Sequence, residues 1–92
     1  MGAFRIRKSY YMAVNDWIVF TGRVVQEPVV GGMWIDLPRA LRGPGRVRIH
    51  SLQEVKFTDR IELGLIIMFP DLAPTPLFDP SMVEGRTLEV VG

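Results

Sequence analysis

Apolar and polar residues alternate along much of this chain, and the period is two. Phe4 and Ile6 interleave with Arg5 and Arg7, the pattern of a strand with one buried face. Trp17 to Val25 is rich in β-branched and aromatic side chains, a composition that fits a pleated, half-buried surface. Met33 to Leu37 follows Gly31-Gly32 and stops at Pro38. The alternation returns from Arg46 to Leu52, with Val47 and Ile49 on one face and Arg46, Arg48 and His50 on the other. Ile61 to Phe69 is more continuously apolar, which predicts a strand buried on both faces. Arg86 to Val91 supplies the last segment, Leu88 and Val90 alternating with Thr87 and Glu89.

Breakers separate these segments. Asn15-Asp16, Gln26-Glu27-Pro28, Gly31-Gly32, Gly43-Pro44-Gly45 and Thr58-Asp59 all read as turns. No stretch carries a sustained 3.6-residue period, so the only helix expected is one turn over Asp79 to Glu84, with Asp79 as N-cap and Pro80 at the first helical position. The expectation is an all-β domain spanning 1–92, its core roughly 4–91. A lone sheet of six strands leaves two exposed edges, so a small closed six-stranded barrel is the predicted architecture. Ile6, Val19, Val24, Ile35, Val47, Ile49, Leu65, Ile67, Leu88 and Val90 are the residues expected to point inward.

Composition narrows the function classes. At 92 residues the chain has room for one core. Eleven basic and ten acidic residues leave a net charge of +1, so no global field draws the protein to nucleic acid or to an anionic membrane. The absence of cysteine removes disulfides, thiolate metal sites and cysteine nucleophiles, and fits a reducing, cytoplasmic setting. With a single histidine, most histidine metal sites are excluded as well. The start, Met1-Gly-Ala-Phe-Arg5, lacks the apolar run of a signal peptide, and the apolar run Leu63 to Phe69 is too short for a membrane helix.

Several stretches carry a family resemblance. They are Phe20-Thr-Gly-Arg-Val-Val25, then Gly32 ahead of the Met33 to Leu37 segment, and Arg46-Val-Arg-Ile-His-Ser-Leu-Gln-Glu-Val55. Glu62-Leu-Gly-Leu-Ile-Ile67 and Glu84-Gly-Arg-Thr-Leu88 complete the set. In order and spacing they resemble domain 2 of the translation GTPases, the small barrel that follows the nucleotide-binding domain in elongation factor Tu and its relatives. The resemblance runs from Phe4 to Val91. It implies a translation-factor barrel topology and a supporting role beside other domains, with contact to the acceptor end of tRNA. This chain has Asn15-Asp16, Glu27-Pro28 and Thr58-Asp59-Arg60 where that family places glycine-containing turns. It has no Gly-x4-Gly-Lys-Ser/Thr loop, so GTP binding by that mechanism is not expected, nor is any other cofactor.

Four candidate sites remain. The Arg46, Arg48 and His50 face, extended by Arg5 and Arg7 if the first strand lies nearby, is a phosphate-holding stripe, with Tyr10, Tyr11 or Trp17 as a stacking surface. The alternative is an ordinary solvated strand face. His50 is a candidate proton carrier as the chain's single histidine, but the sequence offers neither a nucleophile motif nor a second histidine to work with it, so no enzyme is predicted. Gly43-Pro-Gly45 between Arg42 and Arg46 is either a small anion-gripping loop or a plain turn. Phe69 to Phe78 carries three prolines with Phe69, Leu72, Leu77 and Phe78. These apolar residues either plug one end of the barrel or form a protein interface. The leading expectation is a non-catalytic module that binds another protein, or a second copy of itself, through this loop or a barrel rim. An RNA- or phosphate-binding module on the basic face is the alternative. A small enzyme or ligand carrier is the third class.

Overall fold

The computed structural model describes residues 1–72 and 75–92; Ala73 and Pro74 of the proline-containing loop lie outside them. The strands are β1 (Gly2–Met12), β2 (Trp17–Gln26), β3 (Trp34–Leu37), β4 (Gly45–Arg48), β5 (Ser51–Lys56), β6 (Ile61–Met68) and β7 (Thr87–Val91). They form one antiparallel sheet in the order β4-β3-β7-β1-β2-β6-β5. The all-β expectation holds, and the helical content is confined to short 3-10 turns. One of these runs over Pro80–Val83, where the Asp79 carboxylate accepts from Ser81 N at 3.0 Å, the cap read from the sequence.

The strand count and the closure differ from expectation. The Arg46 to Leu52 segment is not one strand but parts of two. β4 pairs with β3, and β5 pairs with β6. The changeover falls between adjacent residues: Ile49 N donates to Met33 O and His50 N donates to Ile66 O, each at 2.8 Å. A run of alternating residues shows that a strand exists but not which neighbour it pairs with, and here the partner changes in mid-run. β4 and β5 are the two outer strands, and among the described residues no hydrogen-bond ladder joins them, so the sheet is open.

Along β1 the register with β2 slips between Ile6 and Lys8, a bulge at Arg7. The bulge inverts the alternation: Phe4 and Ile6 face the core, whereas beyond Arg7 it is Lys8, Tyr10 and Met12 that turn to the opposite face. Gly22 permits this. A Cβ there would sit 1.9 Å from the Arg5 carbonyl oxygen, so only glycine lets the two backbones approach.

The core lies on one side of the sheet. Phe4, Ile6, Phe20, Ile35, Leu37, Leu65, Ile67 and Val90 are completely inaccessible. Of the ten residues expected inside, eight belong to this cluster, and Val24 packs against it half-buried. Val19 is the exception. It is buried, but on the other face of β2, because Ile18 and Phe20 are the residues that enter the core. Both sides of β2 are apolar at this point, so composition alone does not tell the faces apart.

Candidate functional site

The proline-containing loop is divided between the two readings made of it. Leu72 and Phe78 are buried in the core, so they are plug residues and not interface residues. Phe69 and Leu77 are exposed, Leu77 at 73%. Phe69 leans on Tyr11, ring centroids 5.0 Å apart.

The basic residues fall into two separate groups. Arg46 and Arg48 are exposed on β4, and Arg48 stacks on Trp34 with its guanidinium carbon 5.4 Å from the ring centroid. Their cleft also holds Asp71, and the residue opposite Arg46 on β3 is Asp36. His50 lies past the β4–β5 changeover. Its ring sits 5.6 Å from that of Trp17, and its Nδ1 is 3.0 Å from Ser51 Oγ. Arg5 and Arg7 do not extend this stripe, since β7 and β3 lie between β1 and β4 in the sheet. The glycine loop behaves as a turn: Gly43 N donates to Pro38 O at 2.9 Å, and Gly45 adopts a positive φ of 85°.

A different feature stands apart by its apolar lining. On the face of the sheet opposite the core, β1, β2, β6 and β5 enclose a trough of about 280 Å³. Tyr10 and Met12 come from β1, and Trp17, Val19 and Thr21 from β2. From the other side come Ile66 on β6, Gln53 and Val55 on β5, and Phe57 just beyond it. The register explains the grouping: Tyr10 pairs with Val19, Val19 with Ile66 and Ile66 with Ser51, so these side chains form rows across one face. Gly64 supplies the depth. A Cβ at that position would come 2.8 Å from Val55 Cγ2 and 3.1 Å from Val19 Cγ1, so the missing side chain is the floor of the trough.

The trough ends at a cluster of arginines. Phe57 lies beneath two of them, the Arg60 guanidinium carbon at 4.4 Å and that of Arg7 at 5.3 Å from its ring centroid. Both donate from Nε to Oε2 of Glu62, whose side chain is 10% exposed and whose Oε1 is buried without a partner. Burial pushes the Glu62 carboxyl upward, but hydrogen bonds and charge from Arg60 and Arg7 outweigh it and hold the group below its ordinary value. The same carboxylate, with Asp59 at 2.8 Å from Arg60 Nη1, raises the Arg60 pKa. Beyond Arg7 lies a cleft of about 380 Å³ with Arg5 and Arg23 on its walls.

Trough and cleft were not visible in the sequence. The signal for the trough was the surplus of apolar residues at Tyr10 and Met12, beyond the segment assigned to the core, whereas Val19 was itself assigned to the core. The signal for the cleft was Arg23, which lies in the Gly-Arg-Val strand but becomes Arg5's neighbour only through β1–β2 pairing. Among the described residues, no cluster of acidic, histidine or cysteine side chains could hold a metal ion, and no helix is long and apolar enough to cross a membrane. No family model, curated protein or solved structure matches this chain.

Proposed function

We propose that this domain is a non-catalytic binding module that docks an extended segment of a partner protein along the outer trough. The observation that supports it most directly is the apolar lining of a concave surface that lies away from the core and is rimmed by charged residues. Such patches mark interaction sites, and Tyr, Trp, Phe and Met are the residue types enriched in the centres of protein interfaces. Gln53, exposed in the lining, offers hydrogen-bonding groups to a peptide backbone.

A display library of random peptides tests this. The native domain should enrich apolar, extended sequences, and the double variant Tyr10→Ala, Met12→Asp should lose them while keeping its urea midpoint, because both side chains are substantially exposed. Equal enrichment by the variant would remove the trough from consideration.

RNA or phosphate binding at Arg46 and Arg48 is the second reading, favoured by the Arg48–Trp34 stack, an arrangement suited to a base or a phosphate. A translation-factor type of barrel is the architectural counterpart of both readings. It is supported by the bent β4–β5 segment, since the two outer strands of the sheet are consecutive pieces of one chain.

A further inference from the structure

Arg5 and Arg23 are direct cross-strand partners on the outer face of β1 and β2. Like charges at such positions repel, and neither arginine makes an ion pair among the described residues. Among the described residues the ion pairs involve Arg7 and Arg60 only, and the nearby buried carboxylate, Glu62, is engaged by those two. Arg5 makes one long contact, 3.5 Å to Thr87 Oγ1. This end of the face therefore carries four guanidiniums, on Arg5, Arg7, Arg23 and Arg60, against the carboxylates of Glu62, Asp59 and Glu89, the last on β7 two residues from Thr87, the partner of Arg5. The local balance is positive although the chain as a whole is nearly neutral.

The charged end and the trough are continuous. Arg7 lines the cleft and also lies over Phe57, which lines the trough. A ligand lying along the trough thus passes from apolar walls to unpaired guanidiniums.

Resting on the reading that the trough binds a protein segment, we infer the chemistry of that segment: an extended peptide with apolar side chains in the trough and acidic residues at the end that reaches Arg5 and Arg23. Carboxylates placed there remove the repulsion between the two arginines and gain charge-assisted, bidentate hydrogen bonds. RNA fits less well, because its phosphates recur at every nucleotide whereas the arginines gather at one end of the trough.

Two synthetic peptides test the inference. Both alternate leucine or valine with threonine; one ends in Asp-Asp and the other in Asn-Asn. Fluorescence polarisation at low salt should show the acidic peptide binding about tenfold more tightly, and raising the salt to about 0.5 M should close most of the gap. The double variant Arg5→Ala, Arg23→Ala should bind both peptides as the native domain binds the Asn-Asn form. Its thermal midpoint at low salt, without peptide, should be equal or higher, since a repulsion is removed; a marked fall would assign the pair a structural role and overturn the inference. Equal binding of the two peptides by the native domain would overturn the acidic specificity and leave the docking reading standing. Failure of both peptides would overturn the inference, and the library selection would then decide the docking reading separately. Binding of single-stranded RNA that depends on Arg5 and Arg23 would replace the peptide with a nucleic acid.

Discussion

Two residues hold the outer face in its present form. Glu62 ties Arg7 and Arg60 together above Phe57, with its carboxyl held below the ordinary value of 4.5. A carboxyl whose folded pKa is depressed contributes stability above its unfolded pKa and loses it as pH falls through the folded one. Glu62→Gln should therefore cost about 1 kcal/mol at neutral pH, in the upper range of surface ion pairs because both guanidiniums remain partly exposed. The deficit should shrink below pH 4.5 and vanish once native Glu62 is itself protonated; urea melts across acidic pH measure it. Gly22 acts through backbone space. Gly22→Ala forces a methyl group onto the Arg5 carbonyl, and the β1 bulge must deform or the strands separate. A loss of roughly 3 kcal/mol or more is expected, well above the usual effect of a point change, and a urea midpoint will show it.

At the level of elements, the loop after β6 separates packing from display. Phe78 is 8% exposed and belongs to the core, whereas Leu77 beside it is 73% exposed. Phe78→Ala should cost about 3–5 kcal/mol through lost burial and a residual cavity, and Leu77→Asp less than about 0.5 kcal/mol. Equilibrium unfolding of the two variants checks the contrast; equal costs would contradict this placement of the loop. The sequence left plug and interface as alternatives for this segment, since prolines bar it from the sheet while its apolar residues need cover. It did not say which of two adjacent residues turns inward, because without a regular period the direction of each side chain depends on the local chain path. β1 poses the same difficulty in a strand. Its first half was readable as alternation, but the bulge at Arg7 reverses the phase for the second half, and a single inserted residue leaves no mark on composition.

For the molecule as a whole, the two basic clusters compete as the route to an anionic partner. Arg46 and Arg48 are exposed on an outer strand and have Asp36 and Asp71 nearby, so they are partly offset within the fold. Changing both to Ala should alter stability by less than about 0.5 kcal/mol. Single-stranded RNA should bind only at low salt, with affinity falling steeply as salt rises, since phosphate contacts release counterions. Electrophoretic mobility shifts at graded salt measure this. RNA retained at physiological salt by the native domain and lost in the double variant would make the β4 surface the functional one.

The sequence by itself determined the all-β class, the turn positions, the Asp79 cap and most of the core. These follow from alternation, proline, glycine and capping chemistry, all properties of near neighbours along the chain. Tertiary structure decided the rest. Whether the Arg46 to Leu52 run forms one strand or parts of two depends on where β3 and β6 lie, and the face that Val19 occupies depends on which side of β2 the core takes. The trough needs four strands in register, and the arginine pair needs Arg5 and Arg23, eighteen positions apart, to face each other across β1 and β2. Local patterns record a residue's preference for burial or solvent. Which distant residues share a surface is fixed by strand pairing, and pairing is a long-range property that no single segment encodes.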